Sequence, residues 1–121
     1  MNYNVFVYGT LRQRGTNHHI IAQARCVEHR KKIYGYALYD YAQEYPFMVQ
    51  AQPDEYVVGE VYEVNPELLN DLHILEDIAN NLYKFIFLES EACYTYVKFD
   101  QEVSRLQKIK GGDWIKYIHN I

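Results

Sequence analysis

Glu76 stands where a carboxylate is least expected. The stretch Asn65-Pro66-Glu67 opens a helix, with Asn as N-cap, Pro at the first helical position and Glu in the first turn. The pattern predicts a helix from Pro66 to about Glu76. With Leu68 at 0°, Leu69 falls at about 100°, Leu72 at about 40° and Leu75 at about -20°. Glu76 lands at about 80°, inside that apolar stripe, and Asp77 at about 180°, on the far side. Ile74 faces away from the stripe, which predicts contact with a loop. Glu76 also sits near the helix C-terminus, where the macrodipole disfavours negative charge. Burial and dipole both push its pKa up. A carboxyl held so is a candidate general acid/base. The plain alternative is a stripe wide enough to hold the stem at its rim while the head reaches water.

A second candidate lies near the start of the chain, at Tyr8-Gly9-Thr10-Leu11-Arg12. Val5 to Tyr8 is a run of β-branched and aromatic residues, which predicts a strand buried on both faces. Gly9 ends the strand and a loop follows. Asn17 can cap a helix over His18 to Arg25 that carries Ile20, Ile21 and Ala24 at helical spacing. A strand running through a Gly-containing loop into a helix leaves backbone N–H groups aimed one way, which suits a carboxylate. Gly9 has no Cβ, so a ligand can approach the main chain closely there. An ordinary strand exit with Gly as turn residue fits the same letters.

Other chemistries lack their residues. Neither G-x-x-x-x-G-K-[ST] nor G-x-G-x-x-G is present, so nucleotide loops are not supported. No CxxC or HExxH occurs, and the adjacent His18 and His19 point about 100° apart on a helix, a poor metal pair. Cys26 and Cys93 lie far apart and read as two buried free thiols, although a disulfide between them stays open. A net charge of -4 argues against a phosphate-backbone partner. The first residues lack the charged-then-apolar pattern of a leader, and no apolar run approaches roughly 18 residues. The expectation is a cytoplasmic protein with no membrane and no nucleic-acid partner.

The elements that must hold these residues follow in order. Cys26 to Arg30 is a short strand. His29-Arg30-Lys31-Lys32 reads as a solvated turn or edge strand. Ile33 to Tyr39 is a strand, with Gly35 marking a bulge or a close backbone neighbour. Asp40 to Glu44 is a loop, Tyr45-Pro46 is extended, and Phe47 to Gln50 is a short strand. Tyr56 to Val64 is a strand with neither face purely polar. Leu82 to Leu88 and Cys93 to Phe99 form a hairpin through Glu89-Ser90-Glu91. Gln101 to Lys110 is polar and without clear structure. Asp113 after Gly111-Gly112 caps a last short helix, Trp114 to Ile118. Residues 1–121 then make one α+β domain: a curved, barrel-like mixed sheet flanked by two main helices. The 13 Tyr residues favour such a sheet and offer hydroxyls for a polar pocket.

Together these pieces resemble the gamma-glutamylcyclotransferase-like family, in its small bacterial form. The matching segments are Val7-Tyr8-Gly9-Thr10-Leu11-Arg12, Asn17-His18, Tyr45-Pro46, Gly59-Glu60-Val61-Tyr62-Glu63-Val64, Leu72-x-x-Leu75-Glu76 with Tyr83 seven residues on, and Gly112-Asp113-Trp114. The resemblance implies a compact mixed β-barrel with helices around it. It implies that a γ-glutamyl amide or amine conjugate is cyclised to 5-oxoproline with release of the amine. The family's glutamyl-holding loop maps onto Tyr8, Gly9, Thr10 and Leu11, and its acid/base Glu onto Glu76. Such a reaction uses the substrate's own α-amine as nucleophile and needs no cofactor and no metal. Arg12 fits either a substrate carboxylate or a surface ion pair. Tyr83 fits a hydrogen bond to Glu76 or substrate, or one more sheet aromatic. Two departures stand out: His73 replaces the family's usual Asp, and Arg12-Gln13-Arg14-Gly15 replaces the usual R-P-G. A catalytically silent ligand-binding or interaction domain on the same fold is the alternative function. The sequence leaves the amine portion and the oligomeric state open.

Overall fold

Alternation along two strands decides the layering. Strand β1 (Tyr3–Val7) sends Val5 and Val7 into one core and Phe6 into another, all three almost without exposure. Strand β5 (Tyr56–Val64) does the same, with Val57 and Val61 on the Phe6 side and Tyr62 and Val64 on the other. The computed structural model describes residues 1–80, 82–98 and 101–120. Its remaining elements are β2 (Arg25–Tyr34), β3 (Tyr36–Tyr41), β4 (Tyr45–Gln50), α1 (Pro66–Leu75), β6 (Lys84–Leu88), β7 (Cys93–Val97), β8 (Gln107–Lys108) and α2 (Trp114–His119).

The strands form two sheets. One has five strands in the order β2-β5-β1-β7-β6, antiparallel except for the parallel pair β1–β7. The other has three, β4-β3-β8, all antiparallel. This is the expected α+β class with a mixed sheet, but among the described residues the sheets do not close into a barrel. Gly35 stands where the chain passes from one sheet to the other. It takes φ 87, which favours a residue without Cβ, and turns the chain out of β2 into β3. So β2 and β3 are separate strands in separate sheets, rather than one strand with a bulge.

Helix α1 covers the Val5–Val7 face with Leu69 and Leu72. Helix α2 covers the Phe6 face with Trp114 and Ile115. Both are capped as expected: Asn65 accepts from Leu68 N, and Asp113 accepts from Lys116 N. The helix expected over His18 to Arg25 is only a 3-10 turn, His18–Ile20. Asn17 makes no cap there. Its side-chain amide donates to Thr10 Oγ1 at 3.0 Å, and the chain enters β2 at Arg25.

Several smaller expectations are met, some only in part, and that for Ile74 is not. The basic run lies within β2, at the sheet edge, with a register shift between Glu28 and Lys31. Ile74 is 71% exposed and packs on no loop. The hairpin forms through Glu89–Glu91, and the expected last residue of its second strand, Phe99, lies outside the described residues. Both cysteines are free; Cys93 is buried, and burial pushes its thiol up to about 11. Among the described residues no helix is long and apolar enough to cross a membrane.

Candidate active site

The loop after β1 and the end of α1 meet at one cleft. It encloses about 100 Å³. Tyr8, Gly9, Thr10, Leu11, Glu76 and Tyr83 all line it. Arg12 does not.

Glu76 reaches the cleft because α1 stops one residue before it. Its own N–H still bonds to Leu72 O at 2.9 Å, so it is the helix C-cap, and Asp77 turns left-handed at φ 53. The helical wheel therefore holds as far as Leu75 and cannot be carried to Asp77. Glu76 is half-buried at the cleft lining, and the loss of solvent around its carboxyl pushes its pKa up to about 7. No described residue donates a hydrogen bond to it.

Three tyrosines crowd the same carboxyl. Tyr8 donates its hydroxyl proton to Tyr96 O at 2.6 Å, and Tyr83 donates to Pro46 O at 2.6 Å. The Tyr96 hydroxyl lies 2.9 Å from His73 Nδ1. Burial lowers the His73 pKa and keeps the ring neutral, so with the proton on Nε2 the Nδ1 lone pair accepts from Tyr96. Burial first, and the Glu76 charge after it, push the phenols of Tyr8 and Tyr96 up; Tyr83 is raised by burial, then by Tyr8 and Glu76. All three stay protonated, and the hydroxyls of Tyr8 and Tyr83 donate to backbone carbonyls rather than to Glu76. Of the alternatives for Tyr83, the hydrogen bond to Glu76 does not form; the hydroxyl goes to Pro46 O. His73, at the position of the family's usual Asp, is thus a partner of the cleft wall.

The loop after β1 brings donors to the same cleft lining. Asn17 N bonds to Thr10 O at 2.9 Å and Arg12 N bonds to Gly9 O at 3.1 Å, which folds the loop back on itself. The Thr10 and Leu11 amides have no acceptor among the described residues. They are the unpaired loop N–H groups of the kind expected after the first strand. Gly9 is needed for a reason not read from the sequence. A Cβ there would lie 2.8 Å from Pro46 Cδ, so the space beside Gly9 is filled by protein. Because Pro46 O also holds Tyr83, Gly9 keeps the cleft wall in place.

Arg12 is the one expected site residue that the structure turns elsewhere. Its Nε donates to Glu60 Oε2 at 2.6 Å and its Nη1 to Asp113 Oδ1 at 2.9 Å. The guanidinium is buried, so this is neither a substrate contact nor a surface ion pair. Sequence reading missed Glu44, Tyr45, Pro46 and Tyr96 as cleft residues. Tyr45-Pro46 carried a signal as a family segment. Tyr96 had none, being one aromatic among several in a hairpin strand.

Residues 5–116 match the family described as gamma-glutamyl cyclotransferase, AIG2-like. The chain belongs to this family. A candidate gamma-glutamylcyclotransferase of Vibrio cholerae is 34% identical over 119 residues, covering 98% of this chain and 100% of that one. YkqA of Bacillus subtilis, a candidate member too, is 35% identical over 120 residues; the match spans 94% of this chain but 42% of YkqA. The crystal structure of PH0828 from Pyrococcus horikoshii superposes with a TM-score of 0.78 at 25% identity, covering 98% of this chain and 93% of that one. Among the described residues no group of three or more His, Cys, Asp or Glu side chains is arranged to hold a metal.

Proposed function

We propose that this family member converts a γ-glutamyl amine or amide conjugate to 5-oxoproline and the free amine. Glu76 is the acid/base, and the loop from Tyr8 to Leu11 holds the glutamyl head. The observation that carries this reading is the place of Glu76: a half-buried carboxyl at the C-cap of α1 that lines the cleft and accepts no hydrogen bond from a described residue, with loss of solvent pushing its pKa up to about 7.

The donors of the loop and the carboxyl of Glu76 match the two charged groups of an amino-acid head. The free Thr10 and Leu11 amides suit the α-carboxylate or a developing oxyanion. Glu76 suits the α-ammonium, because it accepts protons and no neighbour competes for its lone pairs. Glu76 takes a proton from the α-ammonium, and the resulting amine attacks the γ-carbonyl carbon. The new C–N bond closes the ring. The bond to the leaving nitrogen breaks as the Glu76 carboxyl returns the proton to it. Across the reaction the α-nitrogen gives up two protons and the leaving nitrogen gains two, so the amine departs as an ammonium. The folded glutamyl arm brings nucleophile and carbonyl together, so proximity does much of the work. A carboxyl with pKa about 7 is balanced between accepting and giving at neutral pH.

The test is a panel of γ-glutamyl compounds incubated with the protein and with Glu76→Gln, read as 5-oxoproline release. Release by the native chain and not by the variant supports the proposal. Ligand binding without release by either would favour the silent-domain alternative.

A further inference from the structure

The cleft is as informative for the charges it lacks as for those it holds. Its lining has the carboxylates of Glu44 and Glu76 and no lysine or arginine. Two basic side chains of the surrounding structure are engaged elsewhere. Arg12 is bound to Glu60 and Asp113, and Lys98 lies over the Phe47 ring with its ammonium 3.4 Å from Leu82 O. With Glu76 occupied by the α-ammonium, Glu44 remains for whatever lies beyond the scissile bond.

Glu44 is held in a built turn. Ala42 and Gln43 take left-handed φ values of 55 and 59. Glu44 N bonds to Tyr41 O at 3.0 Å, and Gln43 N bonds to Asp40 Oδ1 at 2.7 Å. Asp40 is fixed in turn by the Tyr117 hydroxyl at 2.6 Å. Beside Glu44 the ring of Tyr45, which lines the cleft, stacks on Tyr41 at 5.2 Å, with Tyr41 43% exposed. The carboxylates of Glu44, Glu76 and Asp77 all bear on the Tyr45 hydroxyl. An aromatic shelf beside carboxylates is the arrangement that attracts an ammonium group, through ring faces and direct charge.

We propose that Glu44 and the Tyr41–Tyr45 pair set the charge preference of the leaving side: the amine released carries a second positive charge, as in a diamine or polyamine, and a leaving amine with a carboxylate is rejected. This rests on the γ-glutamyl reading above. The distal ammonium lies between the Glu44 carboxylate and the aromatic pair. A carboxylate in the same place meets Glu44 with no lysine or arginine among the described lining residues to offset the repulsion.

Three γ-glutamyl conjugates of equal length separate the possibilities: those of 1,4-diaminobutane, n-butylamine and 4-aminobutanoate. They differ only in a terminal charge of plus, none or minus. The expected order of kcat/KM is diamine over butylamine by roughly 5- to 30-fold, and butylamine over aminobutanoate by about as much. Glu44→Gln should reduce the diamine-to-butylamine ratio by about 5-fold or more, and raising the salt concentration should shrink it in the native chain. A butylamine or aminobutanoate conjugate turned over as well as the diamine conjugate would overturn the inference while leaving the cyclotransferase reading intact. An unchanged ratio in Glu44→Gln would overturn the assignment to Glu44. If none of the three releases 5-oxoproline, the γ-glutamyl reading falls, and the inference with it.

Discussion

Glu60 and Glu76 are two carboxylates drawn into one small protein, and their surroundings are opposite. Glu60 sits mid-strand in β5 at 5% exposure. It accepts from Arg12 Nε at 2.6 Å and from Gln13 N at 3.0 Å. A buried charge so partnered is a fastener: it ties the loop after β1 to β5, and Arg12 carries the tie on to Asp113 at the start of α2. Glu76 is only half-buried, at the cleft lining, and has no such partners among the described residues. Its charge is disfavoured and its pKa rises to about 7. Partnered burial fixes geometry, whereas an unpartnered, half-buried carboxyl beside a cleft stores proton affinity. The first arrangement holds the loop that the second one works against.

Breaking one member of the comparison should leave the other recognisable. The largest effect is expected at Glu76. Glu76→Gln keeps shape and polarity but cannot take a proton, so turnover should fall by roughly 10²–10⁴-fold while 5-oxoproline still binds. Steady-state release assays with calorimetric titration check both halves. Asp71→Asn, exposed on the same helix, is the control expected to do little. An active Glu76→Gln would remove the distinction between the two carboxylates.

Next comes the fastener. Arg12→Ala leaves Glu60 buried and unpaired, which should cost about 3–5 kcal/mol of stability in urea denaturation. Folded Arg12→Ala should keep measurable 5-oxoproline release. Loss of turnover at undiminished stability would make Arg12 a substrate residue after all.

A smaller effect sharpens the contrast by pH. The folded Glu76 pKa, about 7, lies above the value near 4.5 of the unfolded chain. Between these values the unfolded chain has released a proton that the folded protein retains. Stability therefore falls as pH rises through this window, by up to about 3 kcal/mol, and the loss is complete above pH 7. Below pH 4.5 both states are protonated and nothing is lost. Urea midpoints of Glu76→Gln should show less of this decline than the native chain and should lie higher at pH 8. Parallel curves for the two proteins would contradict it.

Glu76 was legible because it broke a local pattern: a carboxylate in an apolar stripe at a helix end needs no long-range knowledge to be seen. The β1 strand and the α1 cap were legible on the same ground. Arg12 was not, because its partners Glu60 and Asp113 are 48 and 101 residues away. Glu60 in the middle of an apolar strand was the available sign, and it reads only once β1 and β5 are paired. The failed helix after Asn17 is a case of tertiary override. A good capping residue was diverted to Thr10, and Ile21 was buried from a turn instead. The break between β2 and β3 falls at Gly35, whose φ of 87 cannot be told from a bulge by sequence alone.

The most direct measurement is the titration of the Glu76 side chain in the native protein, followed by carbon NMR of the labelled carboxyl with Glu76→Gln to assign the signal. An unpartnered, half-buried carboxyl should titrate with a midpoint about 7, and 5-oxoproline should perturb that midpoint by occupying the cleft. A midpoint near 4.5, unmoved by ligand, would mean that water or an unseen donor satisfies the group, and Glu76 would then be no different in kind from Glu60.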